Sequence, residues 1–139
     1  VPVGEDPARP GRARGAAIIQ RMAGELDRVR ALCLGLPETS ERLSHGAPSF
    51  FVREKKCFLM VLDDHHGDGI FGIWCAAPPG NQELLVSANA DRFFRPPYVG
   101  HRGWLGVRLN DGVDWDELEG IVEDAFASVA PAKLVERLR

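Results

Sequence analysis

The chain has 139 residues, of which 45% are hydrophobic and 27% are charged, a size and composition typical of one globular domain with its own core. No stretch approaches the roughly 20 apolar residues that a membrane-spanning helix needs, so we predict no membrane segment. The net charge of −3 argues against a protein that coats nucleic acid through its overall charge.

The first residues are rich in arginine, proline and glycine and lack the apolar segment of a secretory signal. We therefore expect a disordered leader at residues 1–15 and a single domain at residues 16–139. The three cysteines, Cys33, Cys57 and Cys75, lie in apolar segments without a CxxC spacing. An odd number of thiols without a signal segment predicts a cytoplasmic protein with reduced cysteines, each packed as a small core residue.

A first helix is predicted over residues 16–37, because apolar side chains recur there at spacings of three and four residues. Gly35 and Pro37 end this pattern. The apolar stripe consists of Met22, Leu26, Val29, Cys33 and Leu36.

Three strands are predicted next, at residues 49–52, 57–63 and 70–76. Short polar turns separate them, so they should pair in an antiparallel manner. The second of these strands is apolar on both of its faces, which predicts a central place in the sheet.

The C-terminal half adds a short helix at residues 82–88, an irregular segment at 91–103 and a strand at 104–110. A long helix over residues 114–130 follows, with Asp114 as its N-cap and Glu117 at its third position. Its apolar face consists of Trp115, Leu118, Val122, Ala125, Phe126 and Val129. Pro131 ends this helix, and a short terminal helix is expected after it.

The order of these elements predicts an α+β fold. Most connections are too short to hold a helix that crosses between two parallel strands. We therefore expect a two-layer sandwich, in which an antiparallel sheet carries its helices packed on one face.

The charges are unevenly distributed over the C-terminal half. Four arginines and His101 lie between Arg92 and Arg108 with no acidic residue among them, whereas residues 111–124 contain seven acidic residues and no lysine or arginine. The acidic run is expected to be the solvated face of the long helix, with docking of a protein partner as the alternative.

The strand at 104–110 carries a pattern that suits a binding surface. Alternation places Trp104, Gly106 and Arg108 on the face opposite the predicted core side. An aromatic ring beside a planar cation suits contacts with bases and phosphates. The alternative is structural: Tyr98 and Trp104 would pack over the preceding loop, and the arginines would be ordinary solvated residues.

Other clusters of polar residues give weaker signals. Residues 63–68 hold two histidines and three aspartates, but they lack the spacing of a calcium loop, so we expect a polar turn and no metal site. His45 is expected to be a structural residue beside a turn. No motif of a catalytic triad, a phosphate-binding loop or a dinucleotide-binding helix is present, so no catalytic residue and no cofactor are predicted.

The segments "LCLGLPETSERLSHGAPSFFVREKKCFLMV", "RFFRPPYVGHRGWLGVRLN" and "DWDELEGIVEDAFASVAPAKL" together resemble the MmcQ/YjbR family. The resemblance covers about residues 26–138. It implies a CyaY-like sandwich related to the double-wing arrangement, and it implies DNA binding.

Our first hypothesis is a small cytoplasmic binding module that contacts DNA weakly and in a salt-dependent manner, without catalysis. Arginines would contact phosphates, Tyr98 or Trp104 would stack on bases, and the Lys55–Lys56 turn would reach the backbone as a wing. The candidate nucleic-acid-binding residues are Arg92, Arg95, Tyr98, His101, Arg102, Trp104, Arg108, Lys55 and Lys56. The alternatives are an adaptor that binds a protein partner and a binder of a small molecule or metal.

Overall fold

A computed structural model describes residues 10–110 and 112–138, with side chains from Gly15 onward. Its helices are α1 (Pro10–Leu34), α2 (Asn81–Ala88), α3 (Trp115–Val129) and α4 (Ala132–Glu136). Its strands are β1 (Thr39–Ser44), β2 (Ala47–Val52), β3 (Lys56–Asp63), β4 (Phe71–Cys75), β5 (Phe93–Phe94) and β6 (Leu105–Arg108). Residues 1–9 of the predicted leader lie outside the described residues, and α1 begins at Pro10.

The six strands form one antiparallel sheet in the order β1-β2-β3-β4-β6-β5. The expected α+β class and the central position of β3 are confirmed. Among the helices in the described part of the chain, none is both long enough and apolar enough to cross a bilayer.

Two strands were missed by the sequence analysis, and both lie at the edges of the sheet. β1 is polar and none of its residues is fully buried, so it lacks the apolar pattern that marks a core strand. β5 has only two residues, which is too short to show any alternation.

The core lies between one face of the sheet and the helices α1 and α3. Phe58 of β3 meets Phe126 of α3 edge to face, with 5.8 Å between the ring centroids. Val29 of α1 is fully buried against the same cluster. A bulge in the pairing of β2 with β3 places the extra residue, Phe58, on this helix side beside Leu59.

The predicted start of the long helix is confirmed. The Asp114 side chain accepts a hydrogen bond of 3.1 Å from the backbone N–H of Glu117, and α3 runs from Trp115 onward. The acidic residues Asp116 and Glu117 occupy the first turn, where the positive end of the helix dipole stabilises them.

The three cysteines are free thiols. Cys33 and Cys75 are buried, as expected of core residues, whereas Cys57 is only half-buried. Burial raises the pKa of all three, and it raises the pKa of Cys75 to about 12. The thiols are therefore protonated at neutral pH.

Candidate ligand site on the open face of the sheet

The face of the sheet opposite the helices carries the candidate site. The strand register pairs Met60 with Trp74 and Trp74 with Gly106, and alternation turns these residues away from the core side. Toward β1, Arg42 lies 3.6 Å over the ring of Phe51 and covers that part of the face. The part over β3, β4 and β6 remains concave.

A loop at residues 95–104 forms one wall of this concavity. Pro96 is fully buried, and the buried side chain of Gln82 in α2 donates hydrogen bonds to the carbonyls of Gly100, at 2.8 Å, and of Trp104. One amide group therefore fixes two points of the loop to α2, and it satisfies carbonyls that would otherwise lack a donor.

The concavity has a volume of about 1180 Å³, and we call it the basin. Its floor is formed by Cys57, Met60, Leu62, Trp74 and Trp104. Residues 128–130 at the end of α3 also line it. The floor is mainly apolar, so it offers an apolar body a place out of water.

Three cations converge at one end of the basin. Lys55 and Lys56 lie at the tip of the β2–β3 hairpin, and Arg102 comes from the 95–104 loop. All three side chains are exposed. The guanidinium of Arg102 lies 5.4 Å from the centre of the Trp104 ring. It also lies near enough to Cys57 for its charge to lower the pKa of that thiol. Burial has the larger effect, so the pKa of Cys57 is raised overall.

Imidazoles line the other end, beyond the last residue of β3. His45 lies in the β1–β2 turn, whereas His65 and His66 lie in the β3–β4 connection. The His65 ring meets Trp74 edge to face at 4.9 Å, meets Tyr98 at 5.9 Å and lies 4.1 Å from the His66 ring. The Nε2 atom of His65 is buried and has no hydrogen-bond partner among the described residues.

Tyr98 lies at the rim in a strained backbone conformation. Its φ is +65°, and the N–H of Val99 donates to the carbonyl of Pro97 at 2.7 Å, which makes a three-residue γ-turn centred on Tyr98. The Tyr98 side chain is 69% exposed. Strain of this kind is concentrated at binding sites in proteins.

The family model YjbR matches residues 34–128, which is more than half of the chain. The chain belongs to the YjbR family. None of the curated proteins matches it.

The YjbR fold is also seen in a solved structure. The crystal structure of the Deinococcus radiodurans protein DR2400, whose description names the domain DUF419, aligns with a TM-score of 0.63 and 17% sequence identity. The alignment covers 81% of this chain and 86% of that chain. At this identity the likeness shows the fold alone.

The residues matched by the YjbR family model include most of those that line the basin. The structure divides the nine predicted nucleic-acid-binding residues into two sets. Five line the basin: Lys55, Lys56, Tyr98, Arg102 and Trp104. The other four are not among the residues that line it: Arg92, Arg95, His101 and Arg108.

Three of those four make intramolecular contacts, and Arg92 and Arg108 make them through their charged groups. The Nε of Arg92 lies 3.1 Å from a carboxylate oxygen of Glu117, an ion pair without the geometry of a hydrogen bond. Arg108 donates to the carbonyl of Ala90 at 3.1 Å. The side chain of Arg95 lies against Gly100.

The predicted surface of Trp104 beside Arg108 is interrupted. The ring of Phe94 lies directly on Gly106, in space that any larger side chain there would fill, and Arg108 lies 4.9 Å over that ring. Trp104 is only 5% exposed. The absence of a side chain at Gly106 therefore serves the packing of Phe94, and the sheet offers no open stacking platform there.

Sequence reasoning did not find the rest of the basin. Met60 and Trp74 read as ordinary strand residues, and only the register shows that they share a face with Trp104. His65 was placed within a polar turn. The turn itself is held by Asp64 and Asp68, whose carboxylates accept backbone N–H bonds of 2.7 and 2.9 Å from Gly69 and Ile70.

Proposed function

We propose that this YjbR chain is a binding module, without catalytic activity, whose basin takes a small organic anion with a flat apolar body. One observation carries the proposal. The described lining of the basin holds three cations and three imidazoles and no Asp or Glu, on a chain whose net charge is −3. Concentrating positive charge in a concavity of an acidic protein raises the local concentration of anions.

The cations supply attraction, and the floor supplies burial. An exposed ion pair stabilises by about 0.5 kcal/mol, so three cations contribute about 1.5 kcal/mol, or a factor of about ten in affinity. The C-terminal end of α3, near Ala130, opposes this with about half a negative charge, which three full positive charges outweigh. The remaining affinity comes from apolar contact with residues such as Met60 and Trp74.

The state of Cys57 supports a site that binds its ligand without forming a covalent bond. Cys57 is the thiol that lines the basin, and burial raises its pKa, so it is a thiol and a poor nucleophile at neutral pH.

The charge requirement is tested with biphenyl-4-carboxylate and its neutral analogue, biphenyl-4-carboxamide. We expect the carboxylate to bind about tenfold more tightly than the amide, as measured by isothermal titration calorimetry. The Lys55→Gln/Lys56→Gln/Arg102→Gln variant should remove this difference, whereas Arg92→Gln should keep it, since Arg92 does not line the basin and pairs with Glu117. Equal binding of the two probes to the unmodified chain would overturn the proposal.

A second candidate function is weak binding of single-stranded nucleic acid, and the exposed side chains at the cationic end favour it. Lys55, Lys56 and Arg102 are exposed there, and Arg95 and His101 are exposed on the 95–104 loop. The exposed ring of Tyr98 could stack on a base. A concave site admits a flexible single strand more readily than a rigid duplex.

For this candidate we expect labelled single-stranded DNA or RNA to bind more tightly than duplex in fluorescence anisotropy over a salt series. Contacts with three phosphates would give a log–log slope of about −2. Arg102→Gln should make the slope shallower, and Arg108→Gln should leave it unchanged, because Arg108 is held on Ala90 and Phe94. No binding at low salt, or equal effects of the two variants, would contradict this assignment.

A further inference from the structure

His65 holds a central place at the imidazole end of the basin. It lines the basin, and it also lines a smaller cavity of about 450 Å³ that is bordered by Met22 and Leu26 of α1 and by Phe71. Its ring makes edge-to-face contacts with Trp74 and Tyr98. Trp74 is buried and orients the His65 ring from the floor, whereas Tyr98 meets it from the exposed rim.

The orphaned Nε2 atom of His65 has no structural explanation within the described residues. Buried polar side-chain atoms in proteins nearly always have a hydrogen-bond partner, and an atom that lacks one needs an explanation. Neutral imidazole can donate or accept at this atom according to its tautomer, so a hydroxyl group, which does both, would satisfy either form.

Tyr98 lies at the rim of the basin beside the His65 ring. It contacts His65 edge-on, its side chain is 69% exposed, and its backbone is held at a φ of +65°. An exposed ring on a strained turn can move aside at little cost in contacts, and relaxation of the backbone would favour that movement.

We infer that the basin has a second polar subsite at His65, which takes a hydroxyl or similar hydrogen-bonding group at the end of the ligand far from its anion. The inference rests on the proposed function. The ligand class is thus an elongated aromatic anion with a polar group at its far end: the anion contacts Arg102 and the hairpin lysines, the rings cover Met60 and Trp74, and the distal group reaches His65.

The test compares 4′-hydroxybiphenyl-4-carboxylate with biphenyl-4-carboxylate, two probes that differ only in the distal hydroxyl. We expect the hydroxyl to tighten binding to the unmodified chain about fivefold, the effect of one hydrogen bond. His65→Phe keeps a ring against Trp74 and should abolish the preference, whereas His66→Phe should keep it. In the unmodified chain, the ¹⁵N resonance of His65 Nε2 should shift with the hydroxylated probe and stay in place with the other.

The outcomes separate the two proposals. If both carboxylates bind equally and the Nε2 resonance does not respond, the subsite at His65 is wrong and the anion site stands. If neither carboxylate binds, the proposed function fails for this ligand class and the subsite fails with it. A preference that survives in His65→Phe also overturns the subsite.

Discussion

Replacing Gly72 with alanine should destabilise the fold by about 3 kcal/mol, because a methyl group has no room there. Gly72 lies in β4, and a Cβ atom at this position would collide with the backbone carbonyl oxygen of Val107 in β6. A backbone atom within a paired strand cannot move aside as a flexible side chain can. The central pairing of β4 with β6 would have to open, and urea denaturation should show the loss directly.

Gly120→Ala is the matched control for this prediction. Gly120 lies on the exposed side of α3 with nothing within 4 Å of a Cβ atom, and alanine favours a helix over glycine by about 0.8 kcal/mol. The same substitution should therefore stabilise the chain. Destabilisation of similar size at both positions would contradict the packing described for Gly72.

Gln82→Leu should destabilise the chain by at least about 2 kcal/mol and loosen the wall of the basin. The buried amide of Gln82 donates to the carbonyls of Gly100 and Trp104, and leucine would leave both acceptors without that donor, at about 1–3 kcal/mol each before any water reaches them. Hydrogen exchange should quicken in the 95–104 loop, and affinity for biphenyl-4-carboxylate should fall because Arg102 loses its fixed position.

The neighbouring substitution Glu83→Gln controls for effects on α2 itself. Glu83 is exposed in the first turn of α2, so its neutral analogue should lose only the favourable interaction with the helix dipole, about 0.3–1 kcal/mol. A Gln82→Leu variant that keeps full stability and normal loop protection would show that the loop is held by other contacts.

The layers of the fold could be predicted because burial leaves a pattern in the sequence. An apolar stripe and the N-cap at Asp114 indicated α3, and an apolar run indicated β3. The short turns between strands excluded parallel pairing. The two edge strands could not be predicted, since β1 buries none of its residues fully and β5 is too short to alternate.

The site could be predicted only in part, because it joins segments that are distant in the sequence. The arginine-rich loop and the Lys55–Lys56 turn stood out by composition, and the structure brings Arg102 and these lysines to one cavity. The ion pair of Arg92 with Glu117 could not be predicted, since it depends on how α3 lies against the segment before β5. Nor could the bulge that sets which residues of β3 share a face with Trp74.

Several expectations remain predictions. The cytoplasmic location rests on the three cysteines. The adaptor hypothesis rests on either the arginine-rich face or the acidic run at 111–124, of which Asp111 lies outside the described residues. Glu117 of that run is engaged with Arg92, so a protein partner would meet the remaining carboxylates.

The most direct test of the anion site in the basin is an NMR titration of the ¹⁵N-labelled chain with biphenyl-4-carboxylate. We predict saturable shifts confined to the backbone amides of residues 55–60, 98–104 and 128–130, segments that contribute to the lining of the basin, and to the indole N–H of Trp74. Shifts centred on α3 and α1 that leave these signals in place, or no shifts at millimolar probe, would contradict the assignment of the basin as an anion site.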